Sequence, residues 1–128
     1  MLRTDGKDTM VQRELISEVF KHVQQKNAFG EACATGVDSL FAMSNPKITA
    51  YEATLYEPIM CLVLQGVKEA HLGERRVTYG AGDSLIVSHT MPAISGVIQA
   101  SSDIPFVSLA LRLDLAHLLS PCDAAAAA

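Results

Sequence analysis

Four histidines, at positions 22, 71, 89 and 117, and three cysteines, at 33, 61 and 122, are the residues most able to hold a metal or act as nucleophiles. Zinc sites draw their thiolates and imidazoles from tight clusters such as CxxC, and these residues are scattered instead. Cys61 lies inside the apolar run IMCLVLQ and reads as a small buried hydrophobe. Ser84, Ser88, Ser95 and Ser108 lack the GxSxG context of a hydrolase nucleophile and have no His-Asp pair at a revealing spacing. The segment Gly80-Ala81-Gly82-Asp83 is Gly-rich enough to suggest a phosphate loop. It joins two strand-like stretches, however, with no helix N-terminus to receive an anion. The pair Arg75-Arg76 is too short for a nucleic-acid patch and fits a solvated edge strand.

Composition narrows the class further. The 128 residues are 49% hydrophobic and 19% charged, which suits one globular domain with a full core of Leu, Ile, Val and Ala. The formal net charge of −4 disfavours nucleic-acid binding by these residues alone, because such affinity rests on neutralising phosphates. No signal-like apolar stretch and no run of 18 or more apolar residues occurs, so neither export nor a membrane span is expected and a cytoplasmic location is.

These residues must be positioned by a helix followed by a series of short strands. Residues 1–8 are polar and are expected to be disordered. From Thr9, apolar residues at Val11, Leu15, Ile16, Val19, Phe20 and Val23 form a stripe at helical spacing, with Thr9 and Gln12 spaced as a capping box and an end before Gly30. From 37 onward, SLFAMS, TAYEATLYE, IMCLVLQ, KEAHL, RRVTY, SLIVS, AISGVIQA and FVSLALRL read as strands. Turn residues part them at intervals of roughly eight to twelve, the rhythm of an antiparallel sandwich or barrel. Gly73-Glu74 is placed for a tight hairpin. A helix start is expected after 113, with Asp114 near its N-terminus, and 121–128 is a low-complexity tail.

The stretch from 51 to 119 resembles the N-terminal regulatory domain of AraC-type transcription regulators. The residues that carry the likeness are the LYEP segment, the CLVLQGVK strand and turn, the YGAGD turn, and PFVSLALRLD before a helix. The likeness extends over roughly 11–120. It implies a mostly β, cupin-like antiparallel β-barrel (jelly-roll), with an N-terminal amphipathic helix and a C-terminal helix start. Residues 9–120 would be the sensor or dimerisation domain, acting on a small-molecule effector and pairing as a homodimer. DNA would be reached only through a C-terminal helix-turn-helix domain absent from these residues.

Metal-binding cupins place an HxH pair and a Glu on one strand and a further His after a Gly-rich turn. Counted from Gly82, that second histidine falls on Ala93, and His89 comes four residues too early. No histidine lies between His22 and His71, so the first motif is missing, and Glu52 and Glu57 do not replace imidazoles. The sequence therefore argues for no metal, no cofactor and no catalytic residue. A cupin-type isomerase or dioxygenase with an atypical site is the alternative.

For an effector site, the strand at 106–113 offers two faces: Val107, Leu109, Leu111 and Leu113, or Phe106, Ser108, Ala110 and Arg112. The second suits a pocket wall, with Arg112 pairing an acidic ligand, or else an outward face with Arg112 in solvent. The Ile59, Cys61, Val63 and Gln65 face is another candidate wall. Both faces of these strands are apolar, so alternation leaves the inward one undecided. His71 and His89 either share the cavity or sit at strand ends. With Tyr56 of the LYEP segment, the residues expected to bind effector are Tyr56, Cys61, Val63, Gln65, His89 and Arg112.

Overall fold

Val19 and Val23 stand one helical turn apart and are both buried, and around them the helix finds its place. The computed structural model describes residues 6–114. Its one described helix, α1 (Gly6–Gln25), begins before Thr9, so Thr9 lies inside it and the Thr9–Gln12 capping box does not form its start. Of the segment 1–8 expected to be disordered, residues 6–8 are the first turn of α1 and the rest lies outside the described residues. The helix closes with Asn27 in the left-handed region (φ 53°). The Asn27 amide donates to Gln24 O and the Ala28 amide to Val23 O, the bond pattern of a Schellman cap. Only the later part of the apolar stripe is buried. Ile16, Val19, Phe20 and Val23 pack inward, whereas Val11 is exposed and Leu15 largely so.

The strands are β1 (Cys33–Ala34), β2 (Leu40–Asn45), β3 (Glu52–Tyr56), β4 (Ile59–Gln65), β5 (Val67–Leu72), β6 (Arg75–Gly80), β7 (Ser84–Val87), β8 (Met91–Gln99) and β9 (Phe106–Arg112). They form two antiparallel sheets, in the orders β1-β2-β9-β4-β7 and β3-β8-β5-β6. The fold is mostly β, as expected. Every strand read from the sequence is present, and β1 is an addition too short for a periodic signal. The helix start expected after 113 lies, beyond Asp114, outside the described residues.

The first sheet is apolar on both faces because it is the middle layer. Ala42 and Val107, with Leu64 and Leu109, pack against α1 and Cys33 on one side. On the other side Val63 and Phe106 meet Ala70, Tyr79 and Val97 of the second sheet. The YGAGD segment is a turn between β6 and β7. Three of its amides are already used: Gly80 N–H donates to the Asp83 carboxylate, Asp83 N–H to Gly80 O and Gly82 N–H to Val63 O. Val63 N–H in turn donates to Asp83 O, fastening the turn to β4.

Candidate functional site

One end of the space between the sheets is filled by Val63, Tyr79, Val97 and Phe106. Beside that packing lies a cavity of about 450 Å³ with walls from both sheets. Phe41 and Met43 of β2, Cys61 of β4 and Ala110 of β9 form one wall; Tyr56 of β3 and Lys68 of β5 stand on the other. The volume falls within the range of small-molecule pockets, roughly 300–1,000 Å³.

The orientation of β9 follows from α1. Val107 and Leu109 are taken up by the helix, which turns Phe106 and Ala110 toward the second sheet and puts Arg112 at the cavity rim. Arg112 is exposed, with its guanidinium over the Phe41 ring at 5.0 Å from the centroid, a cation–π contact. Both sequence readings of Arg112 are thus partly realised: it lines the cavity and it meets solvent.

Of the six residues expected to bind effector, Tyr56, Cys61 and Arg112 line this cavity and Val63, Gln65 and His89 do not. Val63 points inward but is fully buried among Ala70, Tyr79 and Phe106. A register shift between Val63 and Gln65 breaks the alternation on β4. Gln65 Nε2 instead donates to Pro105 O at 2.8 Å, beside a shallow depression against α1. His89 follows β7 on the exposed surface, with Nδ1 3.4 Å from Ser88 Oγ. His71 takes the outer face of β5, 3.4 Å from Glu69 Oε1, so the two histidines do not share a cavity.

The cavity is lined by polar as well as apolar side chains, among them Asn45, Thr49, Thr54, Tyr56, Lys68 and Ser95. Burial pushes the Cys61 thiol pKa up, with the positive charge of Lys68 acting in the opposite direction. Burial is also the main cause of a raised Tyr79 pKa, followed by its neighbours Tyr56 and Cys61. The Tyr79 hydroxyl is buried and lacks a hydrogen-bond partner of good geometry. Sequence reading passed over Lys68 and Tyr79. The signal for Lys68 was there, in the alternation Lys68, Ala70, Leu72, which puts a charge on an apolar face. Among the described residues no group of three or more His, Cys, Asp or Glu is arranged to hold a metal ion, and no helix is long and apolar enough to cross a membrane.

A mostly β domain of two antiparallel sheets with a small-molecule-sized cavity between them is what the geometry defines. Residues 36–127 match the family model of the AraC-type transcriptional regulator N-terminus, and the chain belongs to that family. Among curated proteins, none matches it in sequence. Its backbone is similar to ethanolamine utilization protein Q of Salmonella typhimurium, at 17% identity and a TM-score of 0.45, covering 66% of this chain and 68% of that one. It is similar to a cupin-2 domain protein of Shewanella frigidimarina, at 6% identity and a TM-score of 0.44, covering 70% and 90%. A third likeness is to Drosophila melanogaster CENP-C bound to CAL1, at 16% identity and a TM-score of 0.46, covering 75% and 98%. Likenesses this distant carry no function over to this chain.

Proposed function

We propose that this domain senses a small-molecule effector for an AraC-type transcriptional regulator, without catalysing a reaction. The observation that carries the reading is the cavity between the sheets in a chain of this family. Effector binding acts on a regulator only through different affinity for two states of the protein. The cavity rim is tied to the end of β9, which offers such a coupling. Arg112 N–H donates to Ser39 O, and Leu113 N–H donates to the carbonyl of Pro58, itself a rim residue. A ligand that shifts the rim would therefore bear on the segment that follows Asp114. DNA contact would belong to a helix-turn-helix module outside these residues. Homodimerisation is part of the same reading, supported by large apolar side chains left exposed, among them Ile86, Ile94 and Ile104.

Native mass spectrometry of the 128-residue chain tests this. The expected spectrum is a metal-free dimer, with or without a small organic adduct. Stoichiometric iron, manganese, nickel or zinc would overturn the reading in favour of a cupin-type enzyme.

A further inference from the structure

Strand β5 departs from its own pattern at one position. Ala70 and Leu72 face the core between the sheets, while Glu69 and His71 take the outer face. Alternation therefore turns Lys68 inward, where it lines the cavity between the register partners Tyr79 on β6 and Val97 on β8. Among the described residues the one ion pair joins His71 to Glu69, and Lys68 has neither a carboxylate nor a hydrogen-bond partner. Glu52 and Glu57 also border the cavity but are exposed. Lys68 is half-buried as a residue, and an ammonium at an apolar wall with no counter-charge beside it is open to an anionic partner.

An independent feature points the same way. Tyr56 and Cys61 also line the cavity, and they bring a hydroxyl and a thiol to its wall beside the buried Tyr79. The ammonium, the phenol hydroxyls and the thiol can all donate, and no buried carboxylate accepts from them. The complement is an acceptor, preferably a charged one. Phe41, Met43 and Ala110 form an apolar patch of the wall that would suit an apolar body, beside polar lining residues such as Asn45, Thr49, Thr54 and Ser95.

We infer that the cavity takes a small amphipathic organic anion, in the simplest case a monocarboxylate, with its head held by Lys68. This deepens the sensor reading and rests on it. The test is titration calorimetry of the 128-residue chain with octanoate against octanamide, and with benzoate against benzamide. Each pair differs in charge far more than in shape. At least one acid is expected to bind about tenfold or more tighter than its amide, the size of a charge-assisted bond. Lys68→Met is expected to abolish that gap without lowering the melting temperature, since it removes an unpaired charge. Should K68M fold poorly, K68Q reads out the same loss. Equal affinity of acid and amide would overturn the anion assignment and leave the sensor reading standing. A gap that persists in the Lys68 variants would overturn the role of Lys68. Binding of none of the four also overturns the inference, and the native mass spectrum then decides the sensor reading separately.

Discussion

At Glu69 three side chains converge on one carboxylate. Tyr51 donates its hydroxyl to Oε1 at 2.5 Å, Thr78 donates to Oε2 at 3.1 Å, and His71 Nε2 lies 3.4 Å from Oε1. The Tyr51 bond is the main reason the Glu69 pKa falls below its ordinary value of 4.5, and it raises the pKa of Tyr51. A depressed folded-state pKa means stability that is present above the ordinary value and lost as pH falls through the lower one. Glu69→Gln is therefore expected to melt below the wild type at pH 7. That difference should shrink as pH drops through the window below about 4.5, and thermal melts between pH 3 and 7 check it. A difference that held constant across that range would place the effect in packing instead. Cys61 follows a different logic. Burial raises its thiol pKa, so iodoacetamide should label it more slowly than a cysteine of the unfolded chain. Mass-resolved labelling with and without urea measures this.

At the scale of elements, the β4–β5 corner leaves the least room for a side chain among the described glycines. Gly66 has φ +86°, and a Cβ there would stand 2.8 Å from Gln99 O and 3.0 Å from the Phe106 Cα. Both obstacles are backbone, so neither can step aside. Gly66→Ala is expected to cost more than about 2 kcal/mol, combining left-handed strain with the clash. Gly73, in the β5–β6 hairpin, shares a positive φ of +64° but faces open space. Gly73→Ala should cost only about 1 kcal/mol. Urea denaturation of the two variants side by side separates strain from crowding. Both glycines could be read from the sequence as turn residues, because glycine between alternating segments marks a turn whatever surrounds it. The difference between them could not. It depends on Gln99 and Phe106, which are far away along the chain. The register shift at Val63–Gln65 was hidden for the same reason. It comes from how β4 meets β9, and it withdraws Gln65 from the cavity.

For the whole molecule, the decisive feature is the layering of helix, first sheet and second sheet. Val23 is fully buried between α1 and the first sheet, away from the cavity. Val23→Ala is expected to cost about 1–3 kcal/mol in urea denaturation while leaving any ligand affinity of the cavity unchanged. A loss of affinity in that variant would show that the helix layer and the cavity are coupled. The sequence by itself determined the elements. A 3.6-residue stripe specifies α1, and short apolar or alternating runs parted by Gly, Pro and other turn residues specify β2 to β9, since those signals follow from local backbone geometry. It also determined that no histidine stands where a cupin metal would need one. Only the tertiary structure decided which face of β9 and β4 looks into the cavity. Both faces are apolar because one meets a helix and the other a sheet, and alternation alone is blind to that distinction. The same layering turned Phe106, Ala110 and Cys61 inward and left His89 at the surface. It also brought Lys68 to the cavity wall, because a side chain's partners are set by packing across the chain and not by its neighbours along it.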